Sequence, residues 1–201
     1  MKRRTILCTG GIGSGKSVVV RAFRELGVPA YDCDRAAKDL YDRDAALLAD
    51  VVRLVGGEVL GADGRLDRCK LAGRVFSDPQ LLQALEALVH PAVLRDFARW
   101  RASRPEPLAV LESAILLEKP VPEGVYDSVV VVTSPEDVRV ARVMARDGVS
   151  EAEVRRRMSL QWSDAQRVQY ADYVLENSDR QAILPALIQL IEKLQEEDGK
   201  D

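Results

Sequence analysis

The chain has 201 residues, 47% apolar and 30% charged, with 29 Lys and Arg against 32 Asp and Glu for a formal net charge of −3. This composition fits a globular domain and excludes disordered and fibrous classes. No apolar run reaches about 18 residues, so no membrane span is expected, and the slightly acidic balance gives no general pull toward nucleic acid or a membrane surface.

The first apolar run, Thr5-Ile6-Leu7-Cys8-Thr9, stops at Gly10-Gly11. It suits a buried strand and is too short for the core of a secretion signal. Cys8, Cys33 and Cys69 are odd in number and widely spaced, with no CxxC pair. They read as free thiols of a cytoplasmic protein rather than a disulfide framework or a structural zinc site. A helix is predicted over 16–26 from the spacing of Val19, Val20, Phe23 and Leu26. Its run of valines forms helix poorly, so it must rely on packing against a sheet. Gly27 and Pro29 end it. Residues 30–32 read as a second strand, with a helix starting near Arg35.

Residues 36–100 read mostly as helices, broken by a turn at 62–65. Asp78 is an N-cap with Pro79 in the first turn, followed by Leu81, Leu82, Leu85, Leu88 and Val89 at helical intervals. His90-Pro91 is expected to interrupt this helix before Val93, Leu94, Phe97 and Trp100 resume the period. After a loop at 104–107, residues 108–112 and 128–133 read as strands, the four valines of the latter suiting burial on both faces. Ser134-Pro135-Glu136-Asp137 predicts a helix capped by Ser134, and Ser150-Glu151-Ala152-Glu153 a capping box. A last strand at 173–175, an amphipathic helix at 183–194 and a solvated tail at 196–201 complete the chain. Strands alternating with helices imply a parallel α/β sheet covered on both sides, with one helical insertion. Residues 139–167 concentrate Arg139, Arg142, Arg146, Arg155, Arg156, Arg157 and Arg167. Such a segment in an acidic protein suggests a local anionic ligand, a solvated basic face being the alternative.

Gly10-Gly11-Ile12-Gly13-Ser14-Gly15-Lys16-Ser17 matches G-x-x-x-x-G-K-S between a predicted strand and a predicted helix. In that pattern glycines let the backbone curl so that several N–H groups face one anion, and the following helix adds its positive end. Lys16 is then the point charge for the β- and γ-phosphates, and the Ser17 hydroxyl a ligand for Mg²⁺. The motif identifies nucleotide binding but not the reaction. An Asn-Lys-x-Asp base-recognition motif and a Ser-Gly-Gly-Gln segment are both missing, which points away from GTPases and transport ATPases toward a small-molecule kinase. Asp32 and Asp34 stand at the end of the second predicted strand, where ligands of such sheets gather. If the strand persists both face one side, and either could engage a substrate hydroxyl. The other reading makes one of them an N-cap.

Together these residues resemble the dephospho-coenzyme A kinase family over nearly the whole chain. The resemblance rests on Leu7 through Ser17, on Asp32-Cys33-Asp34 against the family's Asp-Ala-Asp, and on Arg74 to Pro79 against Arg-x-x-Phe-x-x-Pro. His90-Pro91, the segment from Glu112 to Glu118, Arg146-Asp147-Gly148 with Gln161, and Ala171 to Asn177 also match. The departures are Val18 for Thr, Glu112 for Asp, Ala114 for Pro and Arg167 for a lid Lys.

The resemblance implies a P-loop three-layer α/β/α fold with a parallel five-stranded sheet, spanning residues 3–201 as one domain. Residues 3–35, 105–140 and 171–198 would form the nucleotide-binding core, 36–104 a helical substrate insertion and 141–170 a lid. It implies transfer of the ATP γ-phosphoryl to the ribose 3′-hydroxyl of dephospho-coenzyme A with Mg²⁺, by a monomer or weak homo-oligomer that binds no nucleic acid. Asp34 would be the catalytic acid, with Lys16, Arg142 and Arg146 handling charge. Gly11, Ile12, Gly13, Ser14, Gly15, Lys16, Ser17, Val18 and Asn177 would hold ATP, with Asn177 near the adenine. Asp34, His90, Glu112 and Glu118 would meet the acceptor, although His90 also reads as a structural group beside Pro91. Two other readings stand beside this one: a phosphate-loop kinase for a nucleoside, nucleotide or shikimate-like alcohol, and a nucleotide-sensing module without turnover.

Overall fold

Five short strands build the centre of the molecule. In the computed structural model, which describes residues 3–178 and 182–196, they are β1 (Arg4–Thr9), β2 (Ala30–Asp32), β3 (Leu108–Glu112), β4 (Ser128–Thr133) and β5 (Tyr173–Glu176). The sheet order is β2-β3-β1-β4-β5. The β1–β3, β1–β4 and β4–β5 pairs are parallel, with Leu7 facing Leu111 on one side and Val129 on the other. Alternate side chains enter opposite faces of a strand. Ile6, Cys8, Leu108, Val110, Val130 and Val132 accordingly pack together on one face, while Leu7, Ala109, Leu111, Val129 and Val131 are buried on the other. Each buried valine contributes roughly 1.5–3 kcal/mol, so these runs alone anchor the sheet.

The helices are α1 (Lys16–Glu25), α2 (Cys33–Arg43), α3 (Ala45–Val55), α4 (Arg68–Val75), α5 (Pro79–Ala102), α6 (Glu136–Asp147), α7 (Glu151–Met158), α8 (Asp164–Val168) and α9 (Ile183–Glu196). Val19, Val20 and Phe23 of α1 and Leu187, Leu190, Ile191 and Leu194 of α9 seal the Ile6 face of the sheet. This burial is why a valine-rich α1 is helical despite its poor propensity. The chain forms two compact units, one of Met1–Tyr31 with Pro105–Asp201 and the other of Asp32–Arg104. In the second, α2 and α3 both pack on the long α5.

Four local expectations change. The helix after β2 begins at Cys33 rather than near Arg35, because the Asp32 carboxylate accepts from the Arg35 backbone N–H at 2.9 Å and caps it. Asp34 therefore sits in the first turn of α2, and strand alternation does not place it beside Asp32. Second, Pro91 does not interrupt α5, which runs unbroken over 24 residues. Proline removes one backbone bond, but Leu85, Val89, Ala92, Val93 and Phe97 are buried on both sides of it and hold the helix together. Third, α6 starts on Pro135 with no side-chain cap; the Ser134 hydroxyl accepts from Arg142 instead. Fourth, Ser150 caps α7, but Glu153 binds Arg156 and Arg157 rather than closing a box. The reciprocal capping box is at Ser163 and Gln166, at the start of α8. The predicted tail at 196–201 falls almost entirely outside the described residues.

The Asp78 carboxylate accepts from the N–H groups of both Gln80 and Leu81 at the start of α5. Asp78→Ala is expected to lower unfolding stability by about 1 kcal/mol. In urea titration this appears as a lower midpoint with an unchanged slope.

Candidate active site

The loop between β1 and α1 curls back on itself, the Ser14 N–H donating to the Gly11 carbonyl at 3.1 Å. Gly13 and Gly15 have φ of 79° and 84°, a left-handed conformation open chiefly to glycine. Gly15 is also the N-cap of α1, and no side chain caps that helix. By contrast α2, α3, α4, α5, α7 and α8 each begin under an Asp or Ser oxygen. A helix start without its own oxygen, at the end of a curled glycine loop, is suited to an external anion. The Ser17 hydroxyl and Val18 lie exposed in the first turn.

The side chains around this loop come from several elements. Lys16 pairs with Glu112 at the end of β3, Nζ to Oε1 at 2.8 Å, both largely buried. Asn177, following β5, donates from Nδ2 to the Ser14 carbonyl at 2.9 Å. Its backbone carbonyl accepts from Arg142 Nη1 at 3.2 Å. Arg142 Nη1 lies 3.6 Å from where a Cβ on Gly15 would stand, so this arginine borders the loop. Asn177 thus supports the loop directly. Arg146 does not join this group: it is exposed and paired with Asp147 at 2.7 Å.

Glu118 is also engaged. Its Oε1 meets Arg167 Nη2 at 2.5 Å and accepts from the Trp162 backbone N–H at 3.3 Å. Arg167 is wholly buried, donates to the Trp162 carbonyl and lies 3.6 Å from Asp164. Arg139 is buried as well, pairing with Asp164 at 3.0 Å and donating from Nε to the Ile12 carbonyl at 2.9 Å. Gln161 Oε1 accepts from the Ile12 N–H at 2.9 Å. His90 and Asp34 belong to the other compact unit. His90 is half-buried in mid-α5, and Asp34 is exposed on α2.

Charge counting along the sequence overstated the basic character of residues 139–167. Arg155 pairs with Glu136 and Glu151, Arg156 with Glu153, and Arg157 with both Glu153 and Asp147. Hydrogen bonds from Arg156 and then Arg157 hold the Glu153 carboxyl down at about 2. These exposed pairs, spaced mostly by three or four residues, neutralise one another. In the sequence Arg139 counts only as part of the basic segment and Gln161 as part of the family match, neither with a contact assigned, and Asp164 is not singled out. The Ser-x-x-Gln pattern starting at Ser163 would have located α8 and hence Asp164, but no local signal marks a contact to Ile12.

Comparison with known proteins identifies the family. The family model described as dephospho-CoA kinase matches residues 4–182. The chain belongs to the dephospho-CoA kinase family. It is 38% identical over 189 residues to the dephospho-CoA kinase of Porphyromonas gingivalis, covering 94% of this chain and 93% of that one. The crystal structure of TT1252 from Thermus thermophilus superposes with a TM-score of 0.81 at 36% identity, over 98% of both chains. A dephospho-CoA kinase structure from Campylobacter jejuni, at 21% identity and a TM-score of 0.60 over 96% and 97% of the chains, shares the fold. Membership makes this chain a transferase of the kinase type, with ATP as a substrate. Among the described residues no helix is long and apolar enough to cross a membrane.

Cys8 lies fully buried in the strand before the loop, and burial pushes its thiol from the usual 9.0 to about 12, with Lys16 opposing and Glu112 adding to the effect. Cys33 is buried and Cys69 exposed. At pH 8 a disulfide reagent is expected to titrate Cys69 alone in the native protein and all three thiols in denaturant. Between pH 9 and about 12 the unfolded chain releases the Cys8 proton while the folded one keeps it, so stability falls as pH rises through that window.

Proposed function

We propose that this chain transfers the γ-phosphoryl group of ATP to the ribose 3′-hydroxyl of dephospho-coenzyme A, giving coenzyme A and ADP, the last step of coenzyme A biosynthesis. The observation that carries the reading is the phosphate loop leading into an α1 that no side chain caps, in a chain matched by the family model over residues 4–182. Three free cysteines support a reducing, cytoplasmic setting.

Phosphoryl transfer passes through a loose transition state, so positioning and charge stabilisation carry most of the catalysis. The backbone amides of Gly13 to Val18 receive the phosphates. Lys16 leaves Glu112 for the β- and γ-oxygens when ATP arrives, exchanging one anion for another. The donors near α1 fit a hard divalent cation: the Ser17 hydroxyl is exposed, and Glu112, relieved of Lys16, supplies carboxylate oxygen. A divalent cation held by these residues would supply charge neutralisation at the phosphate oxygens. Arg142, bordering Gly15, adds positive charge beside the γ-phosphate, and Arg146 one helical turn away joins it only if it leaves Asp147.

The Asp32 carboxylate is engaged as the cap of α2. By the family resemblance Asp34 is the acid that aligns or deprotonates the acceptor hydroxyl. His90 lies in the helical unit that would hold the pantetheine-bearing substrate, as a positioning group rather than an acid–base catalyst. Glu118, tied to Arg167, acts on the acceptor through the segment it orders.

ATP with dephospho-coenzyme A is expected to yield coenzyme A and ADP, with adenosine, AMP and shikimate turned over far more slowly. Brisk phosphorylation of a control acceptor with no coenzyme A formed would discard the assignment, and ATP binding without turnover of any acceptor would favour a sensor. Chelation with EDTA should stop turnover, and added Mg²⁺ should restore it. Asp34→Asn is expected to lower kcat by about 10²–10⁴-fold while ATP affinity stays within twofold. A near-normal kcat would remove Asp34 from the mechanism.

A further inference from the structure

Ile12 is held by both of its backbone groups. Its N–H donates to Gln161 Oε1 at 2.9 Å, and its carbonyl accepts from Arg139 Nε at 2.9 Å. The two side chains come from different places: Arg139 from α6, and Gln161 from the connection between α7 and α8. Asp164, at the start of α8, binds Arg139 Nη1 at 3.0 Å, so all three form one connected set. Arg139 is 6% exposed, which fixes the guanidinium in place.

The glycines of the loop record the same contact. The G-x-x-x-x-G-K-S pattern requires glycine at Gly10 and Gly15 but not at Gly11 or Gly13. A Cβ on Gly11 would collide with Arg139 Nη2, and one on Gly13 would lie 2.6 Å from the Arg139 carbonyl. Both extra glycines thus stand where α6 presses against the loop. The clamp engages both backbone groups of Ile12, and the loop closes further on itself where the Ser14 N–H donates to the Gly11 carbonyl at 3.1 Å.

We infer that Gln161 and Arg139 are positioning residues that clamp Ile12 and so set the phosphate loop in its nucleotide-receiving shape. This rests on the proposed use of the loop for ATP. The clamp also ties the segment between α7 and α8 to the loop, so displacement of that segment loosens the amides that face the phosphates.

Gln161→Met removes the acceptor at similar length without creating a buried charge, so it is the primary variant. Titration with a fluorescent ATP analogue should show affinity reduced about three- to tenfold, in keeping with one lost hydrogen bond. The KM for dephospho-coenzyme A should stay close to wild type and the Tm should fall by only about 2–4 °C, whereas a merely structural role would move the KM values for both substrates together. Amide exchange followed by NMR should accelerate at Ile12 by about tenfold while β1 and β4 amides are unchanged. Gly11→Ala, which intrudes on Arg139 from the loop side, should likewise weaken ATP binding. Unchanged ATP affinity in Gln161→Met, or unchanged exchange at Ile12, overturns the clamp. Failure of the wild-type protein itself to bind the ATP analogue would instead overturn the functional reading beneath it.

Discussion

The start of α1 is the constraint on which the rest of the molecule turns. A helix begins with backbone N–H groups that no intrahelical carbonyl can satisfy. Six other helices of this chain close theirs with an Asp or Ser oxygen, whereas α1 begins on Gly15 and has none. That opening is held rigidly, because β1 before it is paired on both sides by β3 and β4, and α1 after it is pinned by Val19, Val20 and Phe23. Oxygen supplied from outside completes the helix, and a phosphate is well matched to that position.

The charged groups around the loop are organised by pairing rather than by accumulation. Lys16 rests on Glu112, Arg139 on Asp164, and Arg167 on Glu118. Burying an unpaired charge is costly, and a paired one is tolerated only when its remaining donors find partners. Arg139 meets this condition by donating to the Ile12 carbonyl, whereas wholly buried Arg167 leaves its Nε without a partner among the described residues. The arginines of α7 follow a different rule. They lie toward the surface, paired with Glu151 and Glu153 of their own helix and with Glu136 and Asp147 of α6, where ion pairs are screened by solvent and each contributes little.

Much of the fold was legible in the sequence because hydrophobic period and punctuation agree there. The four valines of β4, the Gly27 and Pro29 stop after α1 and the Asp78-Pro79 start of α5 all carry local physical causes. The misreadings arose where a distant partner outweighed a local signal. Pro91 breaks the pattern in sequence, yet α5 persists because buried side chains on either side of it hold the helix. Ser134 has the chemistry of a cap, but its hydroxyl is taken by Arg142. Local pattern does not tell Asp32 from Asp34; the resemblance singles out Asp34, and the cap formed with Arg35 engages Asp32.

That a strand, a glycine loop with Lys16 and a helix follow one another can be read along the chain, since each is a local property of consecutive residues. The sequence also sufficed, by resemblance, to reach the family. Tertiary structure alone decided which distant side chains support the loop: Asn177 on Ser14, Arg139 and Gln161 on Ile12, Glu112 on Lys16. Those contacts join residues 96 to 163 positions apart, and no pattern of neighbouring residues encodes a meeting that arises only when the sheet and helices pack.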